Sequence, residues 1–161
     1  MGFFIWVQDS VLGTWIRESD WAIFAILIAH TLSMAFLAGA ALLVVLRALG
    51  IAPTASLALF VRFAPVMIIG LVVAILSGVL LVIGYPAKAL TNPFFYVKLT
   101  MLVIAWRMTQ TLLRRFVAAD PGGSSVATKT KALAIASAVS WFAVITVGKF
   151  LAYTNTLLLV Y

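Results

Sequence analysis

The residues of this chain best suited to chemistry are one histidine, two lysines and a methionine, all set in long apolar stretches. His30 is the single histidine, and Met34 follows it by four residues, a spacing that puts both on one face of a helix. A neutral imidazole and a thioether suit haem iron or Cu(I). The plainer reading is that His30 hydrogen-bonds a neighbouring helix while Met34 fills space in the core; proton transfer by His30 is a third reading. Lys98 and Lys149 sit in two other apolar stretches. Pointing outward, they would snorkel to the headgroups. Pointing inward, they would need an anionic or carbonyl oxygen, such as a haem propionate, a quinone or a lipid phosphate. His30, Met34, Lys98 and Lys149 therefore form the candidate cofactor-binding set, and His30 with Met34 the candidate metal ligands.

What is missing narrows the chemistry. The four acids are Asp9, Glu18, Asp20 and Asp120, and none falls in a long apolar stretch. This excludes a carboxylate proton relay, a paired-carboxylate hydrolase and an acidic cation site within a helical bundle. The chain has no cysteine, so disulfides, iron–sulfur clusters and thiolate metal sites are excluded as well. With one histidine, bis-imidazole haem ligation would need a second copy, a partner subunit or a methionine such as Met34, Met67, Met101 or Met108. The same thioethers with His30 define an alternative copper path. No nucleophile–base arrangement is present, and the chain is not expected to be an enzyme by itself.

The elements that must position these side chains follow from composition. Of 161 residues, 65% are hydrophobic and 9% charged, and the mean hydropathy is +1.21; a soluble domain has about 25% charged residues. A span needs about 20 apolar residues, and the chain accommodates four: about 21–46, 56–83, 94–116 and 130–153. The expected fold is an all-α integral membrane protein, a single domain over 1–161 with four transmembrane helices in an up-down bundle. A short interfacial helix over about 3–17 precedes them, too polar to span and rich in Trp6 and Trp15.

Local signals set the boundaries. Ser19 or Asp20 is expected to cap the first span, and Arg47, Gly50 and Pro53 to close it. Asn92 and Pro93 open the third as N-cap and first helical residue. Gly70, Ala74 and Gly78, spaced by four in the second span, form a stripe that admits a close helix neighbour. His30, Lys98 and Lys149 all fall in the same half of the bundle, whereas Arg107, nine residues from Lys98, lies on the opposite face of its helix. Tyr85, Tyr96 and Tyr153 fit an aromatic belt.

Net charge is +7, but the basic residues flank apolar stretches and form no nucleic-acid face. Arg47, Arg62, Arg107, Arg114, Arg115, Lys129 and Lys131 fall on one side, against Arg17, Lys88, Lys98 and Lys149 on the other. Seven against four places both termini in the periplasm.

The phrases AHTLSMAFLAGAALLVVLRALG, SGVLLVIGYPAKAL and TNPFFYVKLTMLVIAW resemble a family of four-span bacterial inner-membrane proteins, itself distantly similar to the copper-resistance D membrane proteins. The resemblance covers roughly residues 20 to 116 and is most specific at His30, Asn92, Pro93, Phe95 and Lys98. It implies a bacterial inner-membrane location and a remote link to copper. Members of that family often carry a further histidine near the inner end of the third span; here that region reads WRMTQTLLRRF and has none.

The expected function is thus a small inner-membrane subunit that binds haem b or a quinone in the outer half of the bundle, as a membrane anchor or electron-transfer partner of a larger complex. Its partners would be the lipid bilayer and other membrane subunits or a second copy. The alternatives are a ligand-free structural or assembly subunit and a copper or small-solute transporter.

Overall fold

The computed structural model describes residues 2–51, 60, 62–118 and 128–157. They form seven helices: α1 Gly2–Gln8, α2 Val11–Glu18, α3 Ala22–Ala48, α4 Ala64–Gly84, α5 Pro86–Leu90, α6 Pro93–Ala118 and α7 Thr128–Leu157. No strand occurs among the described residues. Among the described residues, three helices are long and apolar enough to cross a membrane: α3, α4 and the Thr128–Thr154 part of α7. Helix α6 has 26 residues, about 39 Å at 1.5 Å per residue. Its length suffices for a span, but Lys98, Arg107, Arg114 and Arg115 lower its hydropathy, and it is not among the three.

The surface is apolar where that of a water-soluble bundle would be polar, and several polar side chains lie between the helices. Phe24, Phe36, Ile69, Leu76, Val103 and Phe142 are exposed, while Ser33, Ser77, Thr109 and Ser137 are buried. Apolar side chains gain nothing by leaving lipid, whereas polar groups gain by finding one another between helices. Helix α3 packs along α4, α6 packs along α7, and α3 bridges the two pairs. The core between them holds Leu37, Val44, Met67, Leu112, Trp141 and Val144, all fully buried. Within it, Trp141 Nε1 donates to Thr109 Oγ1 at 3.0 Å, and the hydroxyls of Thr109 and Ser137 lie 3.2 Å apart.

The Gly70, Ala74 and Gly78 stripe faces α3. A Cβ on Gly70 would lie 3.3 Å from the Ser33 carbonyl oxygen and 3.4 Å from Leu37 Cβ, so the small residues let two backbones of the same chain approach. Ala134 and Ala138 of α7 likewise turn into the core.

Helix ends follow local cap chemistry at Gly50, Asn92 and Ser10 and depart from it at the start of α3. Gly50, with φ of 86°, closes α3: its N–H reaches Arg47 O, and the Ile51 N–H reaches Leu46 O, the paired bonds of a Schellman ending. Asn92 caps α6, its Oδ1 accepting from Phe94 N at 3.0 Å, with Pro93 at the first helical position. In contrast, Ser19 ends α2, its N–H bonded to Trp15 O, and the N-cap of α3 is Trp21, which makes no side-chain cap bond. The expected interfacial helix is two helices, because Ser10 breaks it: Ser10 Oγ accepts from Gly13 N at 3.1 Å and starts α2. Arg17 clamps the break, donating to Gln8 O at 2.7 Å. Ile16 then anchors α2 against Gly84 at the end of α4.

Pro53, expected to close the first span, and residues 56–59 and 61 of the expected second span lie outside the described residues.

Candidate functional site

His30 stands eight residues inside α3, about 12 Å from its start. Its imidazole spans the space between α4 and α6. Nδ1 lies 3.1 Å from the Ala74 carbonyl oxygen and 3.0 Å from Ser77 Oγ, both on α4. Nε2 lies 3.2 Å from Lys98 Nζ on α6. The fourth wall is α7, where Gly148 faces the lysine: a Cβ there would lie 3.5 Å from Lys98 Cε and 3.7 Å from Nζ.

These contacts fix the tautomer. A carbonyl oxygen only accepts, so Nδ1 carries the proton and donates to Ala74 O. The Ser77 hydroxyl hydrogen goes to the backbone, to Val73 O at 2.6 Å with Ala74 O at 3.3 Å, which leaves its oxygen free to accept from the same Nδ1–H. Nε2 then presents a lone pair, and Lys98 Nζ donates to it. The imidazole is neutral and every hydrogen-bonding position on it is used.

Small residues make room for this arrangement. A Cβ on Gly78 would lie 3.3 Å from His30 Cε1, so glycine lets the ring lie flat on α4. Ser33 keeps its own hydroxyl local, donating to His30 O at 2.9 Å, and does not compete for the ring.

The electrostatics are one-sided. Neither α3, α4, α6 nor α7 contains an aspartate or glutamate. Lys98, partly buried on α6, meets a neutral imidazole where a carboxylate would be usual. As an ammonium it has two N–H groups beyond the one given to His30. Chemically, the arrangement offers donors for a carbonyl or anionic oxygen, backed by a histidine whose proton sits on the far nitrogen.

Met34 and Lys149 lie apart from this arrangement. Met34 packs against the apolar core. Lys149 is exposed on α7; it follows Gly148, and a step of one residue turns it about 100° away from the face that meets Lys98. Met67 is fully buried and Met101 packs on the same core, while Met108 Sδ accepts from Ser140 Oγ at 3.9 Å. No group of three His, Cys, Asp or Glu side chains able to hold a metal occurs among the described residues.

The donor set does not fit haem iron or copper. Nδ1 is held by α4, and Nε2 is occupied by Lys98 Nζ, which a metal ion would have to displace. A quinone oxygen or a phosphate, by contrast, matches the remaining Lys98 donors.

Three residues of the site escape a reading by residue type: Ser77, Gly78 and Gly148. The signal for the first two was the small-residue stripe, since Ser77 lies three residues after Ala74 and shares its face. Gly148 carried no signal beyond its position beside Lys149.

Comparison of the chain with protein-family models, with curated proteins and with solved structures found no match.

Proposed function

We propose that the chain is a four-span subunit of the bacterial inner membrane that binds a quinone, or a lipidic cofactor with a similar oxygen, at Lys98 and His30. The observation that carries this reading is the 3.2 Å contact between Lys98 Nζ and His30 Nε2 in a set of helices without a carboxylate. A cation placed there has spare donors and no counter-charge among the described residues, and an electron-rich ligand oxygen would supply one. The subunit then acts as membrane anchor or electron-transfer partner of a larger complex. In this reading α6 is the fourth span, supported by its length and by its packing along α7 and α3. The excess of basic residues on one side supports periplasmic termini. The resemblance to four-span inner-membrane proteins rests on the same His30, Asn92, Pro93 and Lys98.

The test is solvent extraction of protein purified in mild detergent, with quantification of quinone per chain. Near-stoichiometric quinone in the native protein, falling at least tenfold in Lys98→Met, is the expected result. Quinone-free protein, or retention indifferent to Lys98, would overturn the reading.

A second reading has its own support. Because all of its hydrogen bonds close within the protein, His30 also works as a clasp joining α3, α4 and α6. A ligand-free structural or assembly subunit would use it in that way. It predicts that His30→Phe lowers stability and disturbs co-purification with a membrane partner while no small molecule is lost.

A further inference from the structure

A second cationic feature lies on the opposite face of α6 from Lys98. Arg107, Gln110, Thr111 and Arg114 recur at intervals of three and four residues and share one helix face. With Trp106 they line a surface groove of about 230 Å³. Arg107, Thr111 and Arg114 are exposed, and Gln110 and Trp106 half-buried. The two arginines are two turns apart, about 10 Å along the helix axis.

Nothing among the described residues neutralises either arginine, and α6 contains no acid. Their neighbour Arg115 behaves otherwise: it turns toward α7 and donates to Thr130 Oγ1 at 2.9 Å. Arg115 thus ties α6 to α7, whereas Arg107 and Arg114 face outward into the groove. Thr111 Oγ1 donates to Arg107 O at 2.8 Å, which leaves its lone pairs and the Gln110 amide at the groove.

We propose that this groove binds the phosphodiester of an anionic membrane phospholipid. Arg114, four residues from the end of α6, stands at headgroup level. Arg107, deeper, reaches up along the groove toward the same group, as long basic side chains do in spans. Planar guanidinium groups hold phosphate oxygens in pairs, Gln110 supplies an amide donor, and the Trp106 ring gives the glycerol and first acyl carbons an apolar wall. The occupant is a lipid and not a soluble phosphate because the groove opens sideways on a helix whose exposed neighbours, Val103 and Val117, are apolar. The inference is independent of the quinone reading, since Lys98 is on the other face and in the other half of α6.

The full-length protein, reconstituted in nanodiscs of phosphatidylcholine with either 20% phosphatidylglycerol or none, tests this by native mass spectrometry of lipid that stays bound on release. Phosphatidylglycerol should be retained in preference to phosphatidylcholine. R107Q/R114Q should weaken that retention on the order of 30-fold, because each guanidinium loses its charge-assisted hydrogen bonds to the phosphate, beyond the general attraction of surface cations. K129Q/K131Q removes the same charge from exposed positions on α7 and should leave retention within about twofold. Circular dichroism and a monodisperse elution profile establish that each variant is folded. Equal retention of the two lipids, equal loss in both double variants, or displacement of the lipid by millimolar inorganic phosphate would each overturn the proposal.

Discussion

Lys98 Nζ lies 3.2 Å from Nε2 of His30, a residue 68 positions earlier in the chain. The lysine donates and the imidazole accepts, so the two residues depend on each other unequally. Removing His30 leaves a cation in the bundle without its partner, whereas removing Lys98 leaves only a neutral lone pair. His30→Phe should therefore destabilise the protein more than Lys98→Met. The double variant should show a coupling of about 1–2 kcal/mol, the upper part of the range for hydrogen bonds between membrane helices. Unfolding titrations in mixed micelles measure all three, and the reverse order of the single variants would contradict the assigned donor and acceptor. Lys149→Gln, at an exposed position, should change stability by less than about 0.5 kcal/mol.

The seat of the imidazole against Gly78 predicts a graded response. An alanine Cβ there would lie 3.3 Å from His30 Cε1, so the ring must shift by a few tenths of an ångström. Gly78→Ala should cost a measurable amount of stability, and Gly78→Leu should displace the ring and cost as much as His30→Phe or more. Gly39, where an added Cβ meets nothing within 4 Å, is the control. Gly39→Ala should be neutral or stabilising, because alanine favours the helix by up to about 1 kcal/mol. Thermal unfolding in detergent distinguishes the two sites.

The buried polar cluster between α6 and α7 predicts a ranking. Thr109 accepts from the Trp141 indole and lies against Ser137, all three fully buried. Ser140 has its own backbone acceptor, Ala136 O at 2.9 Å, and only a long contact to Met108 Sδ. Thr109→Val should cost about 1–2 kcal/mol, because it strands a buried indole donor, while Ser140→Ala should cost well under 1 kcal/mol. Trp141 fluorescence should shift in the first variant and stay constant in the second; a shift in both would show that the indole does not depend on Thr109.

The joint between the first two helices makes a separate prediction. A Cβ on Gly13 would sit 2.6 Å from the Gln8 carbonyl oxygen and 2.8 Å from that of Val7, and both are backbone atoms with little room to give. Gly13→Ala should detach α1 from α2 while leaving α3 to α7 intact. Hydrogen exchange should then accelerate across residues 2–8 without change in α4 or α7, and uniform protection in the variant would rule out this close approach.

Much of the architecture was legible in residue types alone. The apolar stretches marked α3, α4 and α7, and Asn92-Pro93 marked the start of α6 because the cap and the fixed proline φ act within one turn. The end of α3 at Gly50 was equally local. Ser19 and Asp20 failed as caps for the same kind of reason: Ser10, nine residues earlier, had already split the N-terminal segment, and α2 used Ser19 as its own ending. Cap chemistry is local, but which of several competent residues is used depends on where the neighbouring helix stops.

The His30 site divides along the same line. By itself the sequence determined that any cation in the bundle would lack a carboxylate and that no second histidine or thiol was present, since these depend only on which residues exist. It also put His30, Lys98 and Lys149 in one half of the bundle, because depth is counted along each helix. Only the tertiary structure decided that Lys98 meets the imidazole while Lys149 faces outward, that Met34 belongs to the core, and that the Gly70, Ala74 and Gly78 stripe serves α3 of the same chain. Each of these depends on the rotation of a helix about its own axis, and that angle is set by how side chains on facing helices interlock, which no single stretch of sequence contains.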